Sequence, residues 1–131
     1  MSTPTTAANL ASKFGSEVVL VNIVNPAPLV APYMMAVEAV PNTEVLLEYA
    51  EESQRALLCK ASAAFEQEGV KATARAEMGQ PVDVILSVAE EEKADLIVLG
   101  SRGLGGFQRL MLGSVSDGVL HHAHCPVLIV R

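Results

Sequence analysis

The chain has 131 residues, half of them hydrophobic and only 4% aromatic, and its formal net charge at pH 7 is −6. This length predicts one domain, residues 1–131, around a single core. The acidic balance argues against nucleic acid or an anionic membrane as a partner. The apolar runs are shorter than the roughly 18 residues of a membrane span. With no secretory signal pattern at the start and two cysteines in unlike contexts, we expect a reduced, cytoplasmic protein.

The first half of the chain predicts a helix, a strand and a second, longer helix. Residues 5–14 have helical apolar spacing, and Gly15 is a good helix stop. Residues 17–24, EVVLVNIV, are typical of a strand buried on both faces. The four prolines of residues 25–42 exclude a regular helix throughout that segment. A long amphipathic helix is predicted from Thr43 to about residue 68. Its expected buried stripe is Val45, Leu46, Tyr49, Leu57, Ala61 and Phe65.

The second half alternates in the same way. A strand is predicted over 71–78, a helix over 81–92 and a second buried strand over 94–100. A helix over 114–123 and a last strand over 125–131 complete the chain. Strands that are hydrophobic throughout and alternate with helices predict an α/β fold, an open and mostly parallel sheet with helices on both faces. Ligands of such sheets bind at the carboxyl ends of the strands.

A glycine-rich loop, GSRGLGGFQRLMLGS (100–114), follows the second buried strand at such a carboxyl end. Glycines allow a ligand to approach the backbone closely, and the helix that follows offers unpaired N–H groups and a partial positive charge. These features favour a phosphate site, while a plain connection remains open. The loop has neither the Gly-Lys-Ser/Thr of a Walker motif nor the glycine spacing of a Rossmann fingerprint.

The spacing Gly100-x2-Gly103-x9-Gly113-Ser114 resembles the nucleotide-binding signature of the universal stress protein family. The flanking stretches GQPVDVILSVAEEEKADLIVLGSRG and MLGSVSDGVLHHAHCPVLIVR are also similar to that family, and the resemblance runs from about Ala7 to Arg131. It implies a Rossmann-like parallel sheet of five strands in the order 3-2-1-4-5. Many members bind ATP and many dimerise through the last strand, whereas members without the glycine motif do not bind ATP.

The resemblance also implies a role for individual residues. Gly100 and Gly103 would pass close to the ribose and phosphates, and Gly113, Ser114 and the Val115 amide would hold the phosphates. The backbone of Ile23 would meet adenine. The implied nucleotide-binding residues are Gly100, Ser101, Arg102, Gly103, Gly113, Ser114, Val115 and Ile23.

The chain departs from the family at its start. Members begin with a strand that becomes the central one of the sheet and ends in an aspartate that contacts the nucleotide. Here a helix begins almost at once, four strands are predicted instead of five, and residues 1–16 contain no Asp or Glu. A truncated or misassigned start is the simpler expectation, and a chain built without that strand is the alternative. For the isolated monomer we expect marginal stability, offset by dimerisation or by a strand from elsewhere.

The remaining chemistry-bearing residues predict no further site. Zinc needs three or four convergent ligands, and the adjacent His121 and His122 point about 100° apart on a helix, so no metal site is predicted. Cys125 heads a buried strand, where it would act as a small hydrophobe. The methionines Met34 and Met35 could cap a ligand or a partner helix, or belong to a loop. Asp117 is the acid nearest the glycine loop, and it lies one turn into the last helix.

These observations favour a universal stress protein that binds ATP or another adenine nucleotide, with or without Mg²⁺, and acts as a regulator or sensor. No nucleophile with a nearby base is recognisable, so no robust catalysis is expected, although slow ATP hydrolysis stays open. The alternative is a dimeric adaptor of the same fold that binds no nucleotide and acts through protein contacts. In both cases the expected homodimer forms through residues 126–130.

Overall fold

A computed structural model describes residues 2–26, 43–101 and 113–131, without the side chains of Thr43 and Leu46. Each helix and strand predicted from the sequence is present. The largest shift is at the start of the third strand, which was expected at 94 and begins at 97. The elements are α1 Thr3–Phe14, β1 Val18–Val24, α2 Thr43–Gln67, β2 Ala72–Met78, α3 Pro81–Glu91, β3 Ile97–Gly100, α4 Ser114–His122 and β4 Val127–Val130. Met34 and Met35 lie outside the described residues.

Local signals set the helix ends. The Ser2 side chain accepts a hydrogen bond from the Thr5 amide at the start of α1, and Pro4 occupies the first turn, where no amide partner is needed. Gly15 ends this helix at φ 65°, and its N–H donates to the Ala11 carbonyl. This left-handed conformation favours glycine and confirms the predicted stop. The side-chain oxygen of Gln80 caps α3 by accepting from the Asp83 amide at 3.0 Å.

All strand pairing among the described residues is parallel, as predicted, but it forms two separate pairs instead of one continuous sheet. β1 pairs with β2 and β3 pairs with β4, and β1 and β3 are not hydrogen-bonded to each other. Val18 lies opposite Ala72 in the first pair, and Ile97 opposite Val127 in the second. The predicted number of four strands is therefore confirmed for the described part of the chain, with the discontinuity between β1 and β3.

Helices hold the two strand pairs in one structure. A first core cluster joins α1 and α2 to β1 and β2 through Ala8, Ala11, Phe65 and Val70. A second cluster joins α3 and α4 to β3 and β4, with Ala89, Ile97 and Val119 at its centre. In addition, α1 contacts β3, and α3 contacts β1. These two contacts cross from one strand pair to the other.

The prediction that β1 and β3 are fully buried is wrong. Every residue of Val18–Val24 is only partly buried, and Ile97 is the one buried residue of β3. The physical reason is the discontinuity between the pairs, because each of these strands has a hydrogen-bonded neighbour on one edge alone among the described residues. A strand that lacks a second neighbour keeps part of its surface exposed.

The predicted stripe of α2 is correct near its end and wrong before it. Phe65 is fully buried, but Val45, Tyr49 and Leu57 are 57%, 72% and 55% exposed. The prediction followed steps of four residues, and each step drifts by about 40° around a helix with 3.6 residues per turn. Five such steps from Phe65 back to Val45 therefore reach roughly the opposite face. The buried face runs instead through Gln54, Leu58 and Phe65.

Candidate functional site

The two ends of the glycine loop lie side by side. Ser101 follows β3, and its N–H donates to the Val130 carbonyl of β4 at 2.9 Å. The Gly113 N–H, at the start of α4, donates to the Ser101 carbonyl at 3.1 Å. Of the predicted site, Gly100, Ser101, Gly113, Ser114 and Val115 are thereby brought together, whereas Arg102 and Gly103 lie outside the described residues.

The first turn of α4 is a site of positive potential. Gly113 is the N-cap residue, with φ −64° and ψ 158°, and it has no side chain that could accept from the helix amides. The first amide to bond within the helix is that of Asp117, which donates to the Gly113 carbonyl at 3.0 Å. The amides of Ser114, Val115 and Ser116 precede it, and such orphan donors together with the helix dipole favour an anion. Ser114 and Val115, which were predicted to hold phosphates, supply two of these three amides.

Ser116 fixes the start of α4 against the end of β3. Ser116 is 3% exposed, and its hydroxyl donates to the Gly100 carbonyl at 2.9 Å. A small hydroxyl at this place ties the two ends of the glycine loop together a second time. Ser116 was not predicted from the sequence, although a serine in a helix's first turn, two residues after Gly113-Ser114, was a visible signal.

Ile23 lies one residue before the carboxyl end of β1, on the other strand pair. The Val18 N–H donates to the Lys71 carbonyl and the Val24 carbonyl accepts from Gly79, so alternate peptides of β1, beginning at Val18, face β2. The N–H and C=O of Ile23 therefore face away from β2, on the edge of β1 that has no partner strand among the described residues. The predicted contact with adenine would use these two groups.

A buried amide, Gln54, lies at the carboxyl ends of β1 and β2. Its side chain is on α2, and its Nε2 donates to the carbonyls of Asn22 at 2.6 Å and Glu77 at 2.8 Å. Gln54 is 4% exposed, and both bonds hold the backbone next to Ile23. This residue was not predicted from the sequence either. The signal was a glutamine four residues before Leu58, on the same helical face.

A charge cluster joins β2 to the end of α3. The Arg75 guanidinium lies 2.8 Å from a Glu77 oxygen, 2.9 Å from Glu91 and 3.1 Å from Glu92. Its hydrogen bonds, first to Glu91 and then to Glu77, raise the pKa of Arg75 further above its ordinary value. All four side chains are partly exposed to solvent. We regard this cluster as a link between strand and helix.

The histidines of α4 bond to their own helix. The Nδ1 of His121 lies 2.7 Å from the Asp117 carbonyl, and the Nδ1 of His122 lies 2.9 Å from the Gly118 carbonyl. The Asp117 carboxylate is 3.6 Å from His121. No three metal-binding side chains converge within residues 2–26, 43–101 and 113–131. Cys125 packs against the second core cluster, in agreement with the role of a small hydrophobe.

Comparisons with known proteins agree on one family. The model of the universal stress protein family matches residues 5–131. The universal stress protein MJ0531 of Methanocaldococcus jannaschii is 37% identical over 125 residues, which are 95% of this chain and 71% of that protein. None of the described helices is long and apolar enough to cross a membrane.

Solved structures share the fold. The hypothetical protein MJ0577 superposes with a TM-score of 0.76 at 23% identity, covering 95% of this chain and 85% of that one. A universal stress protein in complex with cAMP has a TM-score of 0.67 at 25% identity and covers 98% and 84%. The Archaeoglobus fulgidus universal stress protein in complex with dAMP has a TM-score of 0.64 at 22% identity and covers 98% and 85%. Two of these three relatives thus carry an adenine nucleotide.

Proposed function

The chain belongs to the universal stress protein family, and from this premise we propose that it binds an adenine nucleotide, with ATP or AMP as the natural ligand. The observation that carries the proposal is the uncapped start of α4, held beside the end of β3 by two hydrogen bonds. The complexes of two relatives with cAMP and dAMP support adenine as the base.

The phosphates would bind at the glycine loop. The amides of Ser114 and Val115 would donate to phosphate oxygens, and Gly113 would allow the close approach. Gly100 and Ser101 lie at the other end of the loop. Arg102 and Gly103, which follow them in the sequence, would complete the phosphate site. The guanidinium of Arg102 would add charge-assisted hydrogen bonds.

The base would bind at the edge of β1 that has no partner strand among the described residues. The Ile23 peptide offers one donor and one acceptor, which match the acceptor and donor of the adenine edge. Gln54 supports this position, because it bonds the neighbouring Asn22 carbonyl.

We propose a regulatory or sensing role for the bound nucleotide. Asp117 is the acid of the first turn of α4, and its carboxylate lies 3.6 Å from His121 on the outer surface. An acid in that place is poorly suited to hold Mg²⁺ against the phosphates. Catalysis by this site would therefore be slow. The presence of a nucleotide in the site, and not its hydrolysis, would be what the protein senses.

The cell compartment and the assembly are part of the same proposal. We place the protein in the cytoplasm, where Cys59 and Cys125 stay reduced. We also propose a homodimer through residues 126–130, because β4 has a neighbour on one edge alone among the described strands.

Isothermal titration of the purified protein with ATP, and separately with AMP, tests the proposed function. We expect saturable binding with a Kd in the micromolar range, about −8 kcal/mol. GTP is the matched control, because it presents the same phosphates with a different base edge. Heat signals that do not saturate with either adenine nucleotide would favour the alternative, a dimeric adaptor that acts through protein contacts.

A further inference from the structure

Gln54 bridges two backbone carbonyls at the carboxyl ends of β1 and β2. Its Nε2 donates to the Asn22 carbonyl at 2.6 Å and to the Glu77 carbonyl at 2.8 Å, so both amide hydrogens are in use. Gln54 lies on α2 and is 4% exposed. A group placed between two carbonyls must be a donor, which fixes the orientation of this amide. The side chain therefore holds the backbone of both strands from outside the sheet.

The first of these carbonyls shares a peptide with the Ile23 N–H. A planar trans peptide joins the C=O of one residue to the N–H of the next, and the two groups point in opposite directions. The Asn22 carbonyl faces β2, and the Ile23 N–H therefore faces the other edge of β1. The hydrogen bond from Gln54 to Asn22 holds this peptide plane, and with it the donor that adenine would use.

The second carbonyl holds the Ile23 C=O through one more hydrogen bond. In the parallel register of β1 and β2, the Val24 N–H meets the Glu77 carbonyl. The Val24 N–H and the Ile23 C=O belong to the same peptide. Gln54 thus bonds to the acceptor of one peptide beside Ile23 and to the carbonyl of the other. Its two hydrogen bonds set both groups that the base would use.

The backbone at Ile23 needs such support because the strand pair ends there. Val24 is the last residue of β1, and Met78 is the last residue of β2. Strand ends open more readily than strand centres. A carbonyl has two lone pairs, and the pairing of the strands uses one of them at Asn22 and at Glu77. Gln54 occupies the second at each place, in a buried position where such shared hydrogen bonds strengthen one another.

We propose that Gln54 is a positioning residue for the base and that it sets the preference for adenine. This inference rests on the proposed function. Adenine presents an acceptor at its ring nitrogen N1 and a donor at its amino group, whereas hypoxanthine presents a donor at N1 and an acceptor at its oxygen. Peptides that are held in place gain two hydrogen bonds from adenine and meet two like groups in hypoxanthine. Peptides that can turn aside distinguish the two bases less.

Isothermal titration of the wild type and of Gln54→Met with ATP and with inosine triphosphate, whose base is hypoxanthine, tests this inference. Methionine keeps the length of the side chain and has no N–H donor. We expect Gln54→Met to raise the Kd for ATP by about tenfold and to change that for inosine triphosphate by less than about twofold. Gln67→Met, at the exposed end of the same helix, is the matched control and should keep the preference of the wild type.

Nuclear magnetic resonance of the wild type makes the test independent of how well the variant folds. ATP should shift the side-chain amide signals of Gln54 and the backbone amide signal of Ile23, and it should leave the side-chain signals of Gln67 in place. The physical reason is that a hydrogen bond from the Ile23 N–H to the base polarises the Asn22 carbonyl of the same peptide, to which Gln54 donates. A glutamine with a structural role alone would keep its signals.

Different results separate a failure of this inference from a failure of the proposed function. Equal losses of affinity for ATP and inosine triphosphate in Gln54→Met would indicate a general effect on the fold and overturn the inference. An unchanged affinity for ATP, or Gln54 signals that do not move when ATP binds, would also overturn it. In each of these cases the wild type still binds ATP. A wild type that does not bind ATP saturably would overturn the proposed function and this inference with it.

Discussion

Gly113 is the residue on which the proposed phosphate site depends most directly. Its φ of −64° and ψ of 158° are accessible to any residue, so a valine there keeps the backbone conformation. The branched side chain would instead occupy the space that a phosphate needs beside the α4 amides. We expect Gly113→Val to abolish ATP binding in isothermal titration.

The matched control is Thr73→Val at an exposed position of β2, which should bind ATP like the wild type. Equal affinity in the wild type and Gly113→Val would remove the phosphate site from the start of α4. A loss of affinity in both variants would indicate an effect on folding, which thermal unfolding of each would reveal.

Gln54 combines burial with two hydrogen bonds to strand carbonyls. Gln54→Met keeps the length of the side chain and removes both donors. We expect the free energy of unfolding to fall by about 1–3 kcal/mol, since buried carbonyls lose a partner. Urea unfolding measures the change, and Gln67→Met, on an exposed part of the same helix, should lie within about 0.5 kcal/mol of the wild type. Similar losses in both variants would contradict this account.

Single residues also mark the limit of prediction from the sequence. The loop could be predicted because the spacing of its glycines and Ser114 is a signal within one short stretch of sequence. The positions of Gln54 and Ser116 on their helices were visible in the sequence, but the carbonyl that each one bonds becomes available only when the strands are in register. The role of a buried polar residue on a helix therefore follows only once its partner on another element is known.

The contact between α3 and α4 depends on a glycine inside a helix. A Cβ on Gly118 would lie 2.8 Å from Cγ2 and 3.2 Å from Cγ1 of Val82. Such a distance requires a shift, and overpacking costs about 1–3 kcal/mol, while alanine in a helix gains about 1 kcal/mol over glycine. We therefore expect Gly118→Ala to lower the free energy of unfolding by up to about 2 kcal/mol.

A second substitution separates packing from helix propensity. Val82→Ala removes both Cγ atoms, and the remaining distance from the new Cβ at position 118 to the Cβ at position 82 is an ordinary 3.6 Å. In the double variant Gly118→Ala, Val82→Ala, the penalty of the first change should disappear, which a double-mutant cycle measures. Additive losses would show that the close approach of α3 and α4 is not the reason for the glycine.

Helix and strand positions were predictable because their signals are local: Gly15 and Gly69 end helices at positive φ, and Gln80 begins one. The face that a long helix buries was less predictable. Val45 and Tyr49 fit an apolar repeat with Phe65, yet a 25-residue helix turns them away from the sheet. A repeat of four residues exceeds the helical period of 3.6 residues per turn by about 0.4 residues. This difference accumulates along the helix, so residues several repeats apart no longer share a face.

The architecture of the whole molecule followed from alternation of helix and strand, and the relatives confirm it. The described residues form the four predicted strands, and β1 and β3 are not hydrogen-bonded to each other. What the sequence did not predict is how α1 and α3 each contact the far strand pair. Those contacts depend on the placement of whole helices, for which a single sequence has no short-range signal.

The stability of the molecule should depend on assembly through β4. The Pro126 and Val130 carbonyls accept from β3, so the peptides of Val127 and Ile129 face the outer edge. Val127–Val130 is aliphatic throughout, and only Arg131 follows as a charge. Pairing of this edge with a second copy would bury it, and the thermal midpoint of the wild type should then rise with protein concentration.

Ile129→Lys should yield a monomer in light scattering, because a lysine on an edge strand discourages pairing with another chain. Its thermal midpoint should lie below that of the wild type and stay constant with protein concentration. Thr73→Lys places the same charge on β2, a strand of the other pair, and should leave the dimer intact. A dimer that persists in Ile129→Lys would place the interface elsewhere. A monomeric wild type with a high, concentration-independent midpoint would show that the two strand pairs are stable without assembly.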